Sequence, residues 1–145
     1  MRVLALDLGT RRIGVAVSDG TGFLASPLTV IGRSGDVAAD HRGIAALVAE
    51  EEAERVIVGL PLSMSGSAGP AAQAAMAESE QLAALLPVPV ELWDERLTTV
   101  VADRSMLAGG GRGGRGGGKR VPARRKVIDQ VAAAVILQSW LDAHR

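Results

Sequence analysis

MRVLALDLGTRRIGVAVSD, residues 1–19, carries two short apolar runs joined by Gly9-Thr10-Arg11-Arg12. The first holds Val3, Leu4, Ala5, Leu6 and Leu8; the second holds Ile13, Val15, Ala16 and Val17. Runs this short, parted by a glycine-containing polar link, predict a β-hairpin with a tight connection. One charge, Asp7, interrupts the first run. A carboxylate inside an apolar strand is costly to bury unless a cation or hydrogen-bond donors compensate it. From the residue alone two readings stand side by side. Asp7 caps the Gly9-Thr10 turn through nearby backbone, or the strand displays it as a metal ligand or catalytic carboxylate.

Outward from the hairpin, 23–30 reads as a third strand, and its internal Pro27 places it at a sheet edge or a bulge. A loop at 32–35 leads to a helix over 36–54, with Ile44, Leu47 and Val48 on one face. Glu50, Glu51, Glu52 and Glu54 fall at the unfavourable end of its dipole and read as a solvated face. The uninterrupted apolar run at 56–60 is a buried, parallel strand. A Ser-, Gly- and Met-containing loop, 61–70, precedes an alanine-rich helix over 71–86, and 88–93 is a fifth strand. A helix is expected over 97–107, capped by Thr98 or Thr99. Residues 109–118 hold eight glycines and two arginines, a composition that predicts a flexible loop. A last helix is expected over 123–143, with Val127, Ile128, Val131, Val135 and Trp140 on its inner face. Three hairpin-linked strands followed by two right-handed crossovers give an α/β protein. Its five-stranded mixed sheet, three antiparallel strands plus two parallel, is flanked by helices in a ribonuclease H-like architecture.

The 145 residues and 14.9 kDa fit a single domain over 1–145. Absence of cysteine excludes a disulfide framework and thiolate zinc ligation. His41 and His144 stand far apart in unremarkable polar settings, so a metal would be held by oxygen, which favours Mg²⁺ or Mn²⁺. Asp7 and Arg11-Arg12 interrupt the apolar start, and no apolar run approaches bilayer length, so a cytoplasmic protein without a membrane partner is expected. Net charge is zero, yet seven cations and no acid lie between Gly109 and Lys126: Arg112, Arg115, Lys119, Arg120, Arg124, Arg125 and Lys126. Such a cluster in a neutral chain points to an anionic polymer.

Two glycine patterns mislead. Residues 111–116 match G-x-G-x-x-G but follow a helix rather than a strand, and 113–119 imitate a phosphate loop with Arg120 where Ser or Thr is required. Three acids can instead be brought together by the expected sheet: Asp7, Glu95 or its neighbour Asp94, and Asp129. Individually each has a plain alternative. Asp94 could cap the next helix, and Asp129 could pair with Arg125 or Lys126 on the surface. Together, three carboxylates near one sheet edge suit two divalent ions about 4 Å apart.

Residues 7–19, Val58-Gly59-Leu60-Pro61, Asp94-Glu95-Arg96-Leu97-Thr98-Thr99 and Arg124-Arg125-Lys126 with Asp129, Ala132 and Ala133 resemble, in that order, the YqgF/RuvX family. Its members are ribonuclease H-like proteins described as Holliday junction resolvases and as pre-ribosomal RNA nucleases. The resemblance implies that Asp7, Glu95 and Asp129 are catalytic and hold Mg²⁺ or Mn²⁺ for phosphodiester hydrolysis. It implies RNA as the preferred substrate, in pre-16S rRNA 5′-end processing, with DNA or branched junctions also possible. Arg11, Arg12, Arg96, Thr98, Arg112, Arg115, Lys119, Arg120, Arg124, Arg125 and Lys126 would contact nucleic acid, positioning it without reading sequence. Ser65 stands where the family usually carries Asp, and the glycine run replaces the segment before Arg124. Asp19 is a further candidate ligand, and a two-fold junction would call for a homodimer. Two other functions use the same features: a non-catalytic ribosome-assembly or transcription factor, and an actin-like ATP-binding protein, whose phosphate turn Asp7-Leu8-Gly9-Thr10 also resembles.

Overall fold

The structure, a computed structural model, describes residues 1–98 and 121–145, and side chains for all of these except 121–130. Strands β1 (Val3–Leu8) and β2 (Arg12–Ser18) form the expected hairpin, with Leu4 opposite Val17 and Asp7 opposite Gly14. Strand β3 (Ala25–Gly32) follows antiparallel on β2. Then come helix α1 (Val37–Glu50), strand β4 (Arg55–Leu60), helix α2 (Pro70–Leu85) and strand β5 (Val90–Asp94). A 3-10 turn (Glu95–Leu97) ends the first described stretch, and helix α3 (Val121–Ala143) fills the second. The sheet order is β3-β2-β1-β4-β5, with β4 parallel to β1 and β5 parallel to β4. This is the ribonuclease H-like mixed sheet that element order predicts.

Strand alternation sorts the core into two layers. Val3, Ala5, Ala16 and Ile57 pack against Ala132, Ala133, Ile136, Leu137 and Trp140 of α3. Leu4, Leu6, Ile13, Val15, Val56 and Val58 pack on the other face against Ile44 and Val48 of α1 and Leu82 of α2. Because β1 and β4 are covered on both faces, their sequences read as continuous apolar runs. No helix among the described residues is long and apolar enough to cross a membrane.

Several boundaries differ from expectation, each for a local reason. Strand β3 begins at Ala25, not residue 23, because Asp19 Oδ1 accepts hydrogen bonds from Phe23 N and Leu24 N and holds both in a loop. Pro27 does sit on an edge strand beside an irregularity, for Val15 pairs with Thr29 while Ala16 pairs with Pro27. Helix α1 stops at Glu50, four residues early, because Glu52 takes a left-handed φ of 53° and Ala53 N closes back on Val48 O. Thr98 is extended and ends the 3-10 turn that Asp94 caps. The remainder of the helix expected over 97–107, with Thr99, and the glycine-rich stretch lie outside the described residues.

Candidate active site

Because β1, β4 and β5 run parallel, their carboxyl ends share one edge of the sheet, where open α/β sheets bind ligands. Asp7 is the penultimate residue of β1, Gly59 the penultimate residue of β4, and Glu95 directly follows β5. Asp7 is 7% exposed and Glu95 1%. Both line a cavity of about 590 Å³ that runs from the sheet edge past the β1–β2 turn to α1 and α2. Gly59 makes this possible: a Cβ there would stand 2.9 Å from Glu95 Oε2 and 2.6 Å from Ile136 Cδ1. The turn has a similar requirement. Gly9 N donates to Arg12 O at 2.9 Å, and a Cβ on Gly9 would lie 2.6 Å from that oxygen.

The choice between Asp94 and Glu95 is resolved by local hydrogen bonding. Asp94 Oδ1 accepts from Arg96 N at 2.9 Å, and its carboxylate also accepts from the Arg96 guanidinium, Nη2 to Oδ2 at 2.7 Å. Those bonds from Arg96 hold the Asp94 carboxyl below its usual range. Asp94 is therefore a cap, and Glu95 is the acid in the cavity. Thr98 Oγ1 donates to Glu95 O at 2.7 Å, so Asp94, Arg96 and Thr98 together fix the turn that presents Glu95. Asp19 is no part of this site. It lies at the other end of the hairpin, where the Thr21 hydroxyl and the Leu24 and Phe23 amides lower its carboxyl to about 2.

Arg11 is exposed and Arg12 half-buried at the turn beside Asp7. Asp129, Arg124, Arg125 and Lys126 belong to α3, but their side chains lie outside the described residues, as do Arg112, Arg115, Lys119 and Arg120 altogether. Among the described residues no three of His, Cys, Asp and Glu are grouped to hold a metal. Two of the three expected acids, Asp7 and Glu95, do share one cavity. Their donor set is oxygen alone, and the space left by Gly59 is filled by a carboxylate, which fits a hard divalent cation such as Mg²⁺ or Mn²⁺.

One cluster was not legible as functional. Arg33 donates Nη1 and Nη2 to the two oxygens of Glu78 at 2.7 and 2.9 Å, and Nε to Gly9 O at 3.0 Å. His41, taken above as a residue in an unremarkable polar setting, is buried with Nε2 2.7 Å from Glu78 Oε2. Asp40 beside it is buried and accepts from Ser34 N and Oγ through Oδ1. Arg33, Asp40 and Glu78 all line the same cavity as Asp7. The available signal was spacing, because Asp40, Ile44 and Val48 repeat every four residues and so share the buried face of α1.

Burial by itself raises the Glu78 carboxyl, but hydrogen bonds and charge from Arg33 and His41 outweigh it and hold it below the ordinary value. A carboxyl that gives up its proton more readily folded than unfolded stabilises the fold above the unfolded pKa, roughly 4.3. That stabilisation disappears as pH falls through the folded value. Glu78→Gln should therefore lose about 1–3 kcal/mol at pH 7, the range for hydrogen bonds to charged groups. Urea melts repeated between pH 7 and pH 3 check this, and the gap from the parent should narrow on the acid side.

The family description "RuvX: Holliday junction resolvase" matches residues 1–143. A Myxococcus xanthus protein named "Putative pre-16S rRNA nuclease" is 50% identical over 145 residues, covering 100% of this chain and 90% of its own. One of the same name from Thermobifida fusca is 53% identical over 149 residues, covering 98% of this chain and 87% of its own. Among solved structures, T. thermophilus RuvC in complex with a Holliday junction substrate superposes with a TM-score of 0.58 at 19% identity, covering 99% of this chain and 96% of that one. At that identity the likeness is one of fold. With a full-length family match and relatives near half identity, the chain that sets Asp7 and Glu95 at the sheet edge belongs to the RuvX family.

Proposed function

We propose that this protein is a divalent-metal-dependent nuclease that hydrolyses phosphodiester bonds, with RNA as its preferred substrate, and that Asp7, Glu95 and Asp129 hold the metal. The observation that supports this most is the meeting of two buried carboxylates in one cavity at the carboxyl ends of parallel strands. Ionised carboxylates only accept hydrogen bonds, so by themselves Asp7 and Glu95 repel a phosphodiester. Two Mg²⁺ or Mn²⁺ ions, when bound, supply Lewis-acid stabilisation of the reacting phosphate and lower the pKa of the attacking water. Asp129 precedes Ile136 by seven residues, two turns of α3, and Ile136 lies against Gly59.

Arg11 and Arg12 follow Asp7 at the β1–β2 turn and would neutralise phosphates next to the one cleaved. Arg96 is exposed on the turn next to Glu95 and would do the same, with Thr98 bonded to Glu95 O behind it. The seven cations of residues 112–126 extend that surface by charge alone. The choice of RNA follows the name of the relatives, which refers to pre-16S rRNA. Labelled single-stranded RNA, single-stranded DNA and a four-way junction should be compared with Mg²⁺, with Mn²⁺ and with EDTA. RNA cleavage that EDTA abolishes is the expected result. Nucleic-acid binding with no metal-dependent cleavage of any substrate would leave a binding protein instead.

A further inference from the structure

We propose that the part of the cavity beyond Asp7 and Glu95 is a nucleobase subsite, which takes the base next to the phosphate being cleaved and favours bases carrying an amino group. The inference rests on the nuclease reading for the position of that phosphate. The cavity's volume of about 590 Å³ falls within the usual range for small-ligand sites and is far more than a phosphate and two cations need. Its middle wall is apolar, made by Val37 at the start of α1, Pro61 after β4, and Ala71 and Ala74 of α2. Small side chains along a helix leave a smooth surface on which a flat ring can lie. Unstacked bases of single-stranded nucleic acid are bound in this way, on apolar surfaces with a few polar groups at their edges.

One polar group of the same lining is Asp40. It is 5% exposed and lines the cavity. Oδ1 takes both hydrogen bonds from Ser34, while Oδ2 accepts none from the described residues. Glu78 nearby already holds Arg33 and His41. A carboxylate oxygen that lines a cavity and takes no hydrogen bond from the described residues can accept one from an N–H donor. The amino groups of cytosine, adenine and guanine supply one, whereas the one base N–H of uracil, at N3, lies between two carbonyl oxygens whose lone pairs repel the carboxylate. Arg33 Nε holds Gly9 O, so the same network ties the floor of the subsite to the turn that follows Asp7.

The test uses full-length protein and two readouts. Cleavage of oligo(C) and oligo(U) is compared for the parent, Ala74→Phe, Asp40→Asn and Asp7→Asn, and binding of CMP and UMP is measured with Mg²⁺ by calorimetry. Ala74 is exposed on α2, so a phenylalanine there fills the cavity without entering the core. The parent should cleave oligo(C) and bind CMP about tenfold better than the uracil counterparts. Ala74→Phe should lose most of both, and Asp40→Asn should level the two bases. Cleavage abolished by Asp7→Asn but unchanged by Ala74→Phe would overturn the subsite and leave the nuclease standing. Cleavage unchanged by Asp7→Asn would overturn the nuclease reading, and CMP binding would then decide the subsite, refuted if Ala74→Phe binds CMP as the parent does.

Discussion

Glu95→Gln, purified free of other nucleases, should cleave RNA at least about a hundredfold more slowly than the parent while melting at nearly the same temperature, and Asp7→Asn should do likewise. Each change keeps shape and removes a charge. Both carboxylates are almost fully buried, at 7% and 1% exposure. Burying charge is costly, and two acids that meet in one cavity mark a candidate functional site. A hundredfold corresponds to about 2.7 kcal/mol of transition-state stabilisation, well within what a bound metal contributes. Single-turnover cleavage with saturating Mn²⁺ measures it, with circular dichroism as the control for folding.

Gly59→Ala should be nearly as damaging although it removes no charge. Its added methyl would meet the Glu95 carboxylate at 2.9 Å and the Ile136 methyl at 2.6 Å, so one or both must move. Those atoms end flexible side chains, and the cost to stability is that of ordinary overpacking, about 1–3 kcal/mol. Displacing Glu95 by about 1 Å matters far more to the reaction, where such misplacement can cost 10²-fold. A second change separates the two effects. Gly59→Ala combined with Ile136→Val relieves the apolar clash, so thermal stability should recover while cleavage stays low. Recovery of cleavage in the double variant would mean that Gly59 serves packing alone.

The sheet was legible because its strands carry their environment in their side chains. Val3 to Leu6 and Val56 to Val58 are apolar without interruption since helices cover both faces, and Pro27 marks an edge. What sequence could not show was how ends of elements close. The exit from α1 depends on the left-handed Glu52, and the start of β3 on the amides that Asp19 gathers. At the site, Asp7 stood out as one charge in an apolar strand, but Asp94 and Glu95 are adjacent acids. They were told apart only when Arg96 folded back onto Asp94. Arg33, His41 and Glu78 come from three separate elements, and no spacing within one element announces a contact between them.

The paired carboxylates of Asp7 and Glu95 are expected to hold a hard divalent cation. Mn²⁺ binding, followed by electron paramagnetic resonance on the parent, Asp7→Asn and Glu95→Gln with no nucleic acid present, tests it without relying on any substrate. Saturable binding to the parent, weakened at least about tenfold in each variant while the fold is retained, is the predicted result. Equal Mn²⁺ binding by all three proteins would contradict it.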